Sequence, residues 1–190
     1  MSRAYRISVS ESLRTVVKGS DHVSTDLEML ELLPKQDMAA LLAGELEGRG
    51  FRREGDVLVR QQDGVTITID PVAGKVTVTS ELCEEVDLKQ EVTGWGDEDR
   101  GHSDKAKIEQ HLREQAKEQL GQQAASKEEK LTQQATEHLE GVLRDLQCEL
   151  DGAINRVTAQ ALKQKAAQMG EIKEITEDTE NGSMTIVLEV

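Results

Sequence analysis

Apolar positions recur along this chain with two different periods. At the start, Tyr5, Ile7 and Val9 alternate with Arg6, Ser8 and Ser10, the period of a half-buried strand whose successive side chains point to opposite faces. Leu13, Val16 and Val17 carry the apolar signal to Lys18, as a continuation or a second strand, and Gly19–Ser20–Asp21 reads as a turn. His22–Leu33 fits either a strand or a short helical turn. Pro34 suits the start of a helix, and Asp37 complements the positive end of a helix dipole. Met38, Leu41, Leu42 and Leu46 then recur at three and four residues, which predicts a helix over Lys35–Glu47 ended by Gly48 and Gly50.

The period of two returns after Phe51. Val57 and Val59 alternate with Leu58 and Arg60, Val65, Ile67 and Ile69 with Thr66, Thr68 and Asp70, and Val76 and Val78 with Thr77 and Thr79. Asp63–Gly64 between the first two runs is a type I′ turn signal, because both central residues of that turn need positive φ. Pro71–Gly74 makes the next turn, so an antiparallel three-stranded meander is predicted. Val86, Leu88 and Val92 can extend a strand; from Gly94 onward the chain reads as a loop.

The period lengthens again beyond Ser103, the predicted N-cap of a helix. From Ser103 to Met169 there is no proline and no aromatic residue. Unbroken, such a helix is on the order of 100 Å long. Ile108, Leu112, Ala116 and Leu120 form one stripe, and Gly121–Lys130 holds no large apolar residue. That gap is a solvated stretch of one helix or the bend of a helical hairpin, and one glycine without a proline favours continuity. Leu131, Ala135, Leu139, Val142, Leu146, Leu150, Ala153, Val157 and Ala161 follow. Their mean spacing of about 3.75 lies closer to an eleven-residue repeat than to a heptad, so the stripe runs almost straight. It is ordinary core or a face for another helix, from a second copy or from the first half folded back. Leu131, Leu139, Val142, Leu146, Leu150 and Val157 are the candidate self-association residues. After Gly170, Ile172 and Ile175, the Asn181–Gly182 turn signal and the alternation of Met184, Ile186 and Leu188 predict a terminal hairpin. It is expected to complete the N-terminal sheet or to pack on a neighbouring subunit, since a hairpin alone is marginal in water.

The predicted fold class is α+β. A small antiparallel sheet with one covering helix (1–82) is followed by an acidic, glycine-containing linker (83–103). A long helical, coiled-coil-like region (104–170) and a C-terminal β-hairpin (171–190) complete it.

Composition sharpens this picture. Tyr5, Phe51 and Trp95 are the only aromatic residues, so Leu, Val, Ile and Ala must fill the core. The net charge is −14, with −5 in residues 83–103, −5 in 171–190 and only −1 in 104–170. Phosphate binding needs basic side chains. An acidic chain without a basic stripe argues against nucleic acid and anionic membranes as partners and is compatible with a basic protein. Cys83 and Cys148 are the only cysteines, a usage that fits a reducing cytosol. The start, MSRAYRISVSES, lacks the apolar stretch of a secretory signal, and no apolar run is long enough to span a membrane. A cytoplasmic location is expected.

Catalytic signatures are weak. No Glu-x-x-His motif precedes His111 or His138, and no phosphate-binding Gly-x-x-x-x-Gly-Lys-Ser/Thr loop occurs. No metal, cofactor or catalytic residue is assigned. Asp21–His22, beside Ser20 and Ser24, is the one cluster resembling a nucleophile with its base, and a surface turn explains it as well. Gly94–Trp95–Gly96 is the other oddity: a tryptophan between glycines in an acidic loop is a binding anchor or packs back on the sheet.

Three blocks carry a family resemblance: AYRISVSESLRTVVKGSDHVST, FRREGDVLVRQQDGVTITIDPVAGKVTVTSE and INRVTAQALKQKAAQMGEIKEITEDTENGSMTIVLEV. Over nearly its whole length the chain resembles a bacterial accessory-protein family encoded beside FtsH-like or MoxR-type AAA ATPases and von Willebrand A-type proteins, in so-called ternary systems. The resemblance implies a non-enzymatic adaptor or structural component that works with such an ATPase, and it carries over no active residue. A homo-oligomer joined through the long helix is expected. The alternative is a structural assembly subunit of a filament or shell.

Overall fold

The computed structural model describes residues 4–97, 102–178 and 183–189. In chain order the elements are β1 (Ala4–Asp26), α1 (Lys35–Glu47), β2 (Arg52–Glu54), β3 (Val57–Gln62), β4 (Val65–Asp70), β5 (Lys75–Asp97), α2 (His102–Met169), β6 (Glu171–Asp178) and β7 (Ser183–Glu189). One five-stranded sheet has the order β1-β5-β4-β3-β2, and β6 and β7 form a sheet of their own. The fold is α+β, with antiparallel sheets, as the pattern predicts. The terminal hairpin is not part of the five-stranded sheet. Its predicted Asn181–Gly182 turn lies outside the described residues.

By contacts the chain divides into two compact units, Met1–Asp21 with Glu81–Thr136, and His22–Ser80 with Glu137–Val190. This division differs from the predicted segments. In the first unit, strand pair and helix form two layers. β1 turns Ile7, Val9 and Val17 inward; β5 turns Val86 inward; α2 supplies Leu112 and Leu131. Two small clusters result. One joins Ile7, Val9 and Leu112 with Tyr5, Val92 and Ile108. The other joins Val17, Val86 and Leu131 with Leu82, Leu88 and Ala124. Two strands alone would be marginal, and the helix gives them the second layer they need.

Two sequence expectations fail in this unit. Gly19–Ser20–Asp21 is not a turn, because β1 runs through it to Asp26. Gly19 is buried, and a Cβ on it would overlap the backbone of Leu131 and Thr132. Its glycine is there for close approach of helix to strand, which is one of the few uses glycine has inside a strand. The predicted linker 83–103 is likewise strand as far as Asp97, since β5 occupies it to there, and residues 98–101 lie outside the described residues. Gly94 and Gly96 suggested a loop, yet both face inward. A Cβ on Gly96 would overlap the Tyr5 ring, and one on Gly94 would come 3.1 Å from Leu112 Cδ1.

The second unit holds the meander, α1 and the later part of α2. β3 and β4 pair with Leu58 opposite Ile69 and Gln62 opposite Val65. β4 and β5 pair with Val65 opposite Ser80 and Ile69 opposite Val76. Asp63 and Gly64 both have positive φ (51° and 78°), as the turn between β3 and β4 requires. Asp70 Oδ1 accepts hydrogen bonds from the backbone N–H groups of Val72 (2.9 Å) and Ala73 (2.7 Å), which closes the next turn. The α1 bounds match the predicted ones. Its exit is fixed by Gly50, at φ 89°, while the Phe51 N–H donates to the Leu46 carbonyl at 3.1 Å. The core joins Met38, Leu42 and Leu46 of α1 to Val65, Ile67, Ile69, Val76 and Val78 of the sheet. From α2 come Leu139, Leu146, Leu150, Ala153, Val157 and Ala161.

α2 is one unbroken helix from His102 to Met169. Continuity across Gly121–Lys130 is therefore borne out, and the helical hairpin is not formed. It begins one residue before Ser103, the predicted cap.

Candidate interaction surface

The apolar stripe of α2 is already covered by its own chain. Leu139, Leu146, Leu150 and Val157 lie in the core of the second unit, and Val142 packs half-buried against it. Leu131 lies in the first unit with Val17 and Val86. The sequence pattern demands a partner for this stripe, and a sheet satisfies the demand as well as a helix does. Apart from half-buried Val142, a second copy could reach these side chains only if the core opened. In this structure the stripe residues are packed as core inside their own chain.

Trp95 is the opposite case, with 71% of its surface exposed. It belongs to β5 and not to a loop. Strand alternation explains its neighbours: Gly94 and Gly96 point toward Leu112 and Tyr5, so the residue between them points away. The same parity runs along β5, where Glu85, Asp87, Lys89, Glu91 and Thr93 are all exposed. Facing them, β1 exposes Arg6, Ser8, Ser10, Ser12, Arg14, Val16 and Lys18. Arg14 Nη2 lies 3.5 Å from Glu85 Oε2, and the Ser8 hydroxyl donates to the Glu91 carboxylate. The result is a mostly polar strand face, uncovered among the described residues, with a large aromatic side chain on it.

Asp21 and His22 are consecutive in a strand, so their side chains leave on opposite faces. Asp21 Oδ2 accepts a hydrogen bond from Thr136 Oγ1 at 2.8 Å. Among the described residues, no group of three or more His, Cys, Asp or Glu side chains is placed to hold a metal.

The second unit contains a polar cluster that the sequence reading missed. Arg60 on β3 meets Glu149 on α2 through two parallel bonds, Nη1 to Oε1 and Nη2 to Oε2, each 2.7 Å. Its guanidinium also lies 4.4 Å from the Phe51 ring centre. Arg49 donates from Nη1 to the Glu149 backbone carbonyl (2.9 Å) and from Nε to Glu45 Oε1 (2.9 Å), and Arg156 Nη1 approaches that same oxygen at 3.3 Å. Hydrogen bonds from Arg60 hold the Glu149 carboxyl below its ordinary pKa against the opposing effect of desolvation, with the positive charges of Arg60 and Arg49 adding to the shift. The bidentate pair ties β3 to α2, and Arg49 ties the end of α1 to the same turn of α2. One signal was legible: Arg60 shares the parity of buried Leu58, and a charge in an inward register calls for a partner.

Among the described residues, no helix is long and apolar enough to cross a membrane. No curated protein and no solved structure matches the chain. The family model described as FtsH ternary system domain X5 matches residues 1–190, and the chain belongs to that family.

Proposed function

With membership of the FtsH ternary system domain X5 family as the premise, we propose that this chain is a non-enzymatic, cytoplasmic interaction component of an ATPase-containing system. Its partner in this reading is the AAA-type ATPase or the von Willebrand A-type protein of such a system, bound as an adaptor binds. The observation that carries the reading is Trp95, exposed on a strand whose outer face nothing covers among the described residues. Tryptophan combines large apolar area with an N–H donor and is enriched at the centres of interfaces. Burying it supplies several kcal/mol at about 25 cal/mol per Å² of apolar area. The charged positions nearest it on this face, Glu91 on β5 and Arg6 on β1, form a polar rim suited to orientation more than affinity.

Purified chain and purified partner ATPase, mixed and separated by size, test this. Trp95→Ala is expected to weaken their association by about tenfold or more, as hot-spot truncations do. Full retention removes the anchor. Homo-oligomerisation through the helix stripe is not favoured, because the stripe is buried in its own chain; an oligomer would have to use another surface, and light scattering of the purified chain decides whether one forms.

A further inference from the structure

Independently of Trp95, we infer that the second unit binds an extended, basic and aliphatic peptide segment of a partner protein along the free edge of β1. Three observations meet there. First, β1 ends the five-stranded sheet, with β5 on one side and no strand on the other among the described residues. An edge strand offers unpaired backbone N–H and C=O groups, which an incoming strand can use and a small molecule cannot use to the same extent.

Second, the inner face of the sheet is not roofed at this edge. Val23 keeps the inward parity of Val17 and Gly19, yet it is 38% exposed. Beside it opens a groove of about 430 Å³ between the end of β1, the start of β5 and α2. Val76 and Val78 lie at its β5 side, and Leu143, Leu146, Leu150 and Ile154 form the α2 wall. Its size is within the usual range for a binding cleft.

Third, the charge around the groove has one sign. Asp26, Glu28 and Asp151 line it, and no Lys, Arg or His does. Among the described residues none of these three carboxylates is in an ion pair. Apolar walls, an acidic rim and a strand edge together fit a segment that alternates aliphatic and cationic residues. The aliphatic set enters the groove, the cations meet the rim, and the backbone pairs with β1.

The full chain can be titrated against a labelled short peptide alternating valine and lysine, read by fluorescence anisotropy. Saturable binding is expected, weaker by about tenfold or more when glutamate replaces lysine or when alternate amides are N-methylated. Asp151→Asn, at an exposed helix position, tests the rim. Ile154→Gln tests the wall without changing charge. Each is expected to weaken binding about threefold or more, and Trp95→Ala to leave it unchanged. Equal binding of the glutamate peptide overturns the inference. So does indifference to N-methylation or to both groove variants, and so does a lack of saturation.

Discussion

Gly19 lacks a side chain where the backbone of α2 passes, and Gly96 lacks one where the Tyr5 ring lies. A methyl group at Gly19 would force strand and helix apart. Overpacking of this kind costs about 1–3 kcal/mol. Gly19→Ala should therefore lower the urea midpoint of unfolding with the slope unchanged; an unaltered midpoint would mean the contact relaxes freely. Trp95→Ala should shift stability by no more than about 0.5 kcal/mol, since the side chain is mostly solvated in the free chain. The two glycine sites also show what the sequence concealed. Gly-Ser-Asp and Gly-Trp-Gly have turn and loop composition. Only the unbroken parity from Val17 through Gly19, and from Val92 through Gly96, marks them as strand. What fills the space beside them comes from residues about a hundred positions away, at Leu131 for Gly19 and at Tyr5 for Gly96, and no local window contains it.

At the scale of elements, the near-straight stripe of α2 was legible in spacing, and so were the bounds of α1 and the meander. Its partner was not. A period near 3.7 reports that one side of a helix is buried, and says nothing about whether a helix or a sheet covers it. Leu146→Ala should cost about 2–5 kcal/mol by leaving a cavity. Light scattering should show no loss of mass that precedes unfolding; dissociation of a folded oligomer would restore the association face. The Arg60–Glu149 clamp gives this element a pH dependence. Folding lowers the Glu149 pKa, so its contribution is fully present above the ordinary glutamate range and is lost as pH falls toward the lowered folded value. In melting experiments Glu149→Gln should be less stable than wild type near neutrality by about 1–3 kcal/mol. The gap should narrow steadily below pH ~4. A gap that stays constant with pH would sink the assignment.

Over the whole molecule, apolar burial is shared between separate clusters, small in the first unit and larger in the second. Local stability should follow that division. A cavity made by Leu139→Ala should speed amide hydrogen exchange in β3 and β4 before it does so in Ile7 and Val9, as followed by mass spectrometry; uniform acceleration would indicate a single cooperative core. Aromatic scarcity has a further consequence at this scale. Trp95 is the only tryptophan, so the indole emission of the entire protein comes from one solvated ring. Its spectrum should be red-shifted in the native chain and change little on denaturation, which makes it a poor reporter of unfolding. A partner that covers this face should move the emission to the blue and shield it from iodide, while a peptide held in the β1 groove should leave it dark to the event. The protein thus carries a built-in optical label on one of its two candidate surfaces and none on the other.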